Sequence, residues 1–160
     1  DDQQTPDTMN VTYNFAEKVL FYEHRIWNPY RLEGSENGAA IYGTDGMAVL
    51  GRWVGSQFAC RVFDAKGNMV YTEQESKADD NYHARNFIDC VRSREKPTAD
   101  IETGEISTVL CHLGNIVART GRAIRFDPAT RSIVDDPEAN RLVSRVYRRH
   151  WSTPKGAETA

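Results

Sequence analysis

"GAAIYGTDGMAVLGRWV", from Gly38 to Val54, decides the fold. Two apolar runs flank Asp45-Gly46, a dipeptide that tolerates positive φ and so predicts a tight hairpin. "ACRVFDAKGNMVYTEQ" (Ala59–Gln74) repeats the pattern with a turn at Lys66–Asn68. Upstream, "MNVTYNF" (Met9–Phe15) alternates, with Val11, Tyr13 and Phe15 on one face and Thr12 and Asn14 on the other. A turn at Ala16–Lys18 leads into "VLFYEHRIW" (Val19–Trp27), rich in β-branched and aromatic residues. Strands joined by such short turns pair antiparallel, because parallel pairing needs a long crossover.

The second half reads as helix. Asp79 or Asp80 can cap a helix through "NYHARNFIDCVRSR", in which Ala84, Phe87, Ile88 and Val91 recur at helical spacing, and Pro97 stops it. A second helix is expected from about Ile101 to Thr120, closed by Gly121. "AIRFD" (Ala123–Asp127) reads as a short strand, and Asp136-Pro137 opens a last helix to about Tyr147. The tail from residue 152 to 160 is expected to be disordered. Strands come first and helices after, without βαβα alternation. The expectation is an α+β domain over residues 1–151: a largely antiparallel open sheet with the helices packed on one face.

Bulk properties narrow the function classes. The chain has 160 residues, enough for one domain, with formal net charge -3. That balance gives no reason to expect nucleic acid as a partner. No apolar run approaches the ~18 residues of a membrane span, so no membrane partner is expected either. The opening "DDQQTPDT" lacks an initiator Met and reads as a piece of a longer or processed chain. Any export signal would then lie upstream, leaving cytoplasmic as the default location. Cys60, Cys90 and Cys111 are few, odd in number and far apart, which argues against a disulfide framework or a zinc site; reduced, mostly buried thiols are expected.

"EISTVLCHLGNIVARTGR" (Glu105–Arg122) sets a cysteine beside a histidine. Its apolar stripe is Ile106, Val109, Leu110, Leu113, Ile116 and Val117. His112 falls instead in a polar row with Glu105, Thr108, Asn115 and Arg119. Neighbours on a helix diverge by ~100°, so Cys111 and His112 are not a nucleophile pair and do not share a metal. His112 either hydrogen-bonds at the core margin or faces a ligand. In "FYEHRIWNPYR", alternation places Tyr22, His24 and Ile26 on one face, and Glu23, Arg25 and Trp27 on the other. Aromatics, a cation and a histidine suit sugar stacking and hydroxyl recognition; the alternative is a strand whose outer face packs on a partner. His83 reads as a surface or capping residue. "RRHW" (Arg148–Trp151) is too short to be a nucleic-acid site. No GxGxxG and no P-loop occurs, so the chain lacks the usual dinucleotide device.

The blocks "PDTMNVTYNF", "ENGAAIYGTDGMAVLGR", "HARNFIDCVRSREKPTADIETG" and "STVLCHLGNIVARTGRAIRFD", with "DPEAN" and a following Trp151, resemble the C-terminal half of the Gfo/Idh/MocA (glucose–fructose oxidoreductase/inositol dehydrogenase) oxidoreductases. The resemblance runs from about Pro6 to Trp151. It implies an N-terminal Rossmann domain, absent from this chain, that binds NAD or NADP. This domain would shape the substrate site and form a homo-oligomer through its sheet face. The implied activity is oxidation of a sugar, cyclitol or glycoside hydroxyl by the parent protein, with the fragment inactive alone. The family's catalytic lysine lies in an "EKP" motif of the Rossmann half, so Glu95-Lys96-Pro97, here a loop between helices, does not inherit that role. Its catalytic Asp and His also lie upstream, leaving no catalytic residue in this chain. The implied substrate-binding residues are Tyr22, His24, Arg25 and Trp27, with His112 on the helix; no metal is implied. The alternative is a non-enzymatic carbohydrate-binding or scaffold domain, which lacks a GxGxxG unit and a lysine motif upstream.

Overall fold

The computed structural model describes residues 5–53, 58–73 and 80–144. Six strands come first: β1 (Thr8–Asn14), β2 (Val19–Arg25), β3 (Asn37–Gly43), β4 (Gly46–Arg52), β5 (Phe58–Asp64) and β6 (Met69–Thr72). Helices α1 (Asp80–Ser93) and α2 (Ile101–Thr120) follow, then the short strands β7 (Phe126–Asp127) and β8 (Ser132–Ile133) and helix α3 (Pro137–Asn140). Every strand pair is antiparallel, and the fold class is α+β as expected. The strands are shared among three sheets, in the orders β1-β2, β3-β4-β5-β6 and β7-β8. The chain divides into two compact units, Asp1–Ile26 with Ile101–Ala160, and Trp27–Asp100.

In the first unit, β1 turns Met9, Val11 and Tyr13 toward α2. Val11 is buried. Helix and hairpin approach closely because Gly114 has no side chain: a Cβ there would stand 2.8 Å from the Tyr13 hydroxyl and 3.4 Å from Val11 Cγ2. Gly121 ends α2 at φ 66°, where its amide donates to the Val117 carbonyl at 2.9 Å. Beyond it, Ile116, Ile133 and Ala139 form a core with Ile124 and Phe126 against them. Sequence reading foresaw a strand at "AIRFD" but not β8, its partner; two-residue strands carry no periodicity to read.

Helix α3 is shorter than expected. Asp136 caps it, accepting from the Ala139 amide at 3.0 Å, and Pro137 occupies its first turn. The amides of Arg141, Leu142 and Val143 then bond to carbonyls three residues back, so the chain continues in tighter turns. Tyr147 and the tail lie outside the described residues.

In the second unit, β3 to β6 form a meander with Val49, Trp53 and Ala59 buried on one face beside Ala40, Met47 and Phe63. The β3–β4 loop is Thr44-Asp45, with Gly43 opposite Gly46. At the next turn Asp64 accepts from the amides of Lys66 at 2.9 Å and Asn68 at 2.8 Å. These donors hold its carboxyl below the usual carboxylate range, the Asn68 side chain contributing most. Buried Ser35 donates to the Asn37 carbonyl at 2.8 Å, and the Arg61 guanidinium lies 3.9 Å above the Trp53 ring.

Helix α1 also belongs to this unit. It stops at Arg94, in the left-handed region at φ 64°, before Pro97 is reached. Asn86 ties it to the next loop by accepting from the Thr98 amide at 3.0 Å. Its apolar residues Phe87, Ile88 and Val91 are exposed, whereas α2 buries its Gly114 and Ile116. The two long helices therefore differ in how far they are covered.

Candidate functional site

The first unit gathers a side-chain cluster where the hairpin meets α2. In the β1–β2 register Val11 stands opposite Tyr22 and Met9 opposite His24. Tyr22 and His24 thus project on the side of the hairpin that carries Met9, Val11 and Tyr13, toward α2. Their rings stack with centroids 6.3 Å apart and an interplanar angle of 11°. Tyr22 is exposed and His24 half-buried, which leaves one ring available and the other partly screened.

Tyr13 joins them. Its hydroxyl donates to the Leu110 carbonyl at 2.6 Å. Burial first, then the proximity of Cys111 and Tyr22, pushes its pKa above the ordinary phenol value. Cys111 thus neighbours a tyrosine of the hairpin. Its thiol donates to the Ser107 carbonyl at 3.5 Å and is exposed, while Cys60 and Cys90 are half-buried. The three thiols are free but less buried than expected. Tyr13 was legible only as a core-facing aromatic; its bond to Leu110 joins residues 97 apart in the chain and leaves no local signal.

The other candidates are placed elsewhere. β2 ends at Arg25, ahead of Asn28-Pro29. Arg25 still lies within the strand, and its side chain leaves on the reverse face, where Nε meets Glu23 Oε1 at 2.7 Å. Alternation at period two separates it from His24. Trp27 opens the second unit and is 74% exposed. His112 is exposed on α2 and lies two positions from Gly114, about 200° around the helix and so away from the hairpin. In its polar row, Glu105 pairs with Arg131 at 3.2 Å and Thr108 donates to the Gly104 carbonyl at 2.7 Å. Of the five candidates, the structure brings together Tyr22 and His24.

The second unit has an open cleft of about 550 Å³ at the turn end of its sheet, with Glu33, Tyr42, Thr44, Met47, Phe63 and Asp64 in its lining. Tyr42 donates to Glu33 Oε1 at 2.7 Å, and that bond raises the Tyr42 pKa. None of the five candidates lines this cleft. Among the described residues no three His, Cys, Asp or Glu side chains gather to hold a metal ion, and no helix is long and apolar enough to cross a membrane.

These elements correspond to a known family. Residues 36–153 match the oxidoreductase family, C-terminal alpha/beta domain. The chain belongs to the Gfo/Idh/MocA oxidoreductase family. The match covers the β3–β6 meander, both long helices and the β7–β8 region, while the β1–β2 hairpin precedes it. No curated protein and no solved structure matches the chain. As the C-terminal domain of a Gfo/Idh/MocA protein, it is the counterpart of an N-terminal domain.

The oxidoreductase family generally depends on a nucleotide cofactor. The described residues do not fit a dinucleotide. All strands pair antiparallel, and no glycine-rich turn leads from a parallel strand into a helix N-terminus, the device that receives a pyrophosphate.

Proposed function

We propose that this domain is the substrate-binding and oligomerisation part of an NAD(P)-dependent oxidoreductase acting on a sugar, cyclitol or glycoside hydroxyl. The observation that carries this reading is the family match over residues 36–153. The stacked Tyr22–His24 pair supports it, since it offers a ring face beside an imidazole that can exchange hydrogen bonds with hydroxyls. Hydride transfer needs a nicotinamide set against the substrate, and holding it falls to the N-terminal domain. Oligomerisation draws support from the sheet face opposite Val49, where Ile41, Phe58 and Tyr71 are exposed.

The test is turnover of the sugar by the full-length protein. Tyr22→Ala and His24→Ala should each lower kcat/KM by a factor worth about 1–3 kcal/mol, the scale of a lost polar or stacking contact, with folding intact. Arg25→Ala and His112→Ala, which act on other faces, should cost less. Wild-type turnover in the His24 variant would remove the site assignment.

A further inference from the structure

The cleft at the turn end of the second unit takes no part in the proposed function. A row of three side chains on three strands lines it: Tyr42 stands opposite Met47, and Met47 opposite Phe63. Met47 and Phe63 are half-buried, while Tyr42 is 68% exposed. Beside the row stands the turn Leu32–Ser35, closed by the Ser35 amide on the Leu32 carbonyl at 2.9 Å. Its central residues, Glu33 and Gly34, both have positive φ, at 50° and 76°, as a type I′ turn requires. Gly34 lies against the buried Trp53, whose ring would stand 2.9 Å from a Cβ there, so the turn is fixed in place.

Glu33 is poorly suited to that turn, which favours asparagine, aspartate or glycine at its first central position. What the glutamate adds is reach. Its Oε1 accepts from the Tyr42 hydroxyl at 2.7 Å, which fixes the exposed ring, and Oε2 has no partner among the described residues. Asp64 adds a second negative charge, but its oxygens are occupied by the amides of Lys66 and Asn68 and by the Asn68 side chain. The lining holds no Lys, Arg, His, Asn, Gln or Trp side chain. An anion would therefore meet two carboxylates. A polyol needs side-chain donors as well as acceptors, and both hydroxyls of the lining, Tyr42 and Thr44, already donate to carboxylates. A metal ion finds no third ligand among the described residues.

We propose that this cleft binds the primary ammonium group of a small organic cation, whose apolar stem rests on Met47 and Phe63. The ammonium donates to Glu33 Oε2, a charge-assisted bond, and lies over the face of the Tyr42 ring. Its stem removes the half-buried Met47 and Phe63 side chains from water. The cleft, at about 550 Å³, falls within the range of small-molecule sites. Placing glutamate at a positive-φ position sets a carboxylate beside an anchored ring, and the two together select a cation. The proposal uses neither Tyr22 nor His24 and does not depend on the catalytic reading.

The probe is phenethylammonium, titrated into the isotope-labelled chain and followed by amide NMR, with phenethyl alcohol and phenylpropionate as neutral and anionic controls of similar shape. The amides of Gly43, Gly46 and Gly67, which line the cleft, should shift saturably with the ammonium and with neither control. Glu33→Asn is the decisive variant. Asparagine suits the turn, so the thermal midpoint should hold or rise, while affinity falls by about tenfold or more with the lost charge. Tyr42→Leu, which removes the ring face, should weaken binding by about fivefold. Asp45→Asn neutralises a carboxylate of the neighbouring loop outside the lining and should bind as wild type. Amides that do not shift, or shift equally with either control, overturn the proposal. So does wild-type affinity in Glu33→Asn or in Tyr42→Leu. A midpoint that falls together with affinity in Glu33→Asn would give Glu33 a structural role, and an equal loss in Asp45→Asn would mean attraction by net charge alone; either result also overturns it.

Discussion

Tyr13 donates its hydroxyl to the Leu110 carbonyl at 2.6 Å, tying the first hairpin to the middle of α2 beside Gly114. The contact depends on two residues at once: a phenol long enough to reach the helix backbone and a glycine that lets it in.

A double-mutant cycle on this contact has a definite sign. Tyr13→Phe should destabilise the chain by about 0.5–1.5 kcal/mol, the net value of one hydrogen bond. Gly114→Ala gains up to ~1 kcal/mol of helix propensity but loses ~1–3 kcal/mol to overpacking against the hydroxyl 2.8 Å away. It should therefore be destabilising alone and less so, or stabilising, on the Tyr13→Phe background. Denaturant unfolding of the four chains reads the coupling; strict additivity would remove the contact from the account.

Tyr13 should also titrate late. Its pKa is raised in the fold, chiefly by burial, so the folded chain holds that proton more tightly than the unfolded one. The stabilisation is complete below the ordinary phenol pKa of about 10 and is lost as pH rises through the folded value. Ultraviolet difference titration should show Tyr13 and Tyr42 ionising late, and Tyr13→Phe should remove one of these two late steps.

At acid pH Asp136 is one of the carboxylates that lose stabilising partners. Arg122 grips its carboxylate at 2.9 and 3.0 Å, and the Ala139 amide adds a bond at 3.0 Å. These partners, Arg122 foremost, hold its pKa below the usual range. Stability from this group is present above the unfolded aspartate pKa and falls away as pH drops through the folded value. Asp136→Asn keeps a capping oxygen and removes the charge. Its deficit against wild type should be largest near neutrality and vanish in strong acid, as followed by thermal melts over a pH series. A deficit independent of pH would assign Asp136 a purely capping role.

Nucleotide binding separates the two halves of the proposed enzyme. The isolated chain should show no measurable heat with NADH or NADPH in calorimetry, because its strands provide no cradle for a pyrophosphate. Micromolar binding would refute the division of labour between the domains.

Much of this protein was determined locally and could be read from its residues. The hairpin at Asp45-Gly46 was legible locally, although the loop is Thr44-Asp45 and Gly46 already pairs with Gly43; the Asp64–Asn68 turn is likewise local, and alternation in β1 and β2 follows from the two-residue period of extended chain. Gly121 stops α2 through its backbone freedom, and Asp136-Pro137 starts α3 by capping. The divergence of Cys111 from His112 follows from helix geometry alone. Tertiary structure decided what depends on partners distant in sequence. The division of the strands into three sheets rests on which edges meet. Cys111 neighbours Tyr13 because α2 lies across β1, and β7 finds β8 with too few residues to announce either. The candidate site shows the same boundary. Alternation already separated Tyr22 and His24 from Arg25, but only the packed hairpin made two of those rings stack, turned them toward α2 and left His112 on the helix's far side. Periodicity assigns a residue to a face; what that face meets is set by the packing of elements far apart in the chain.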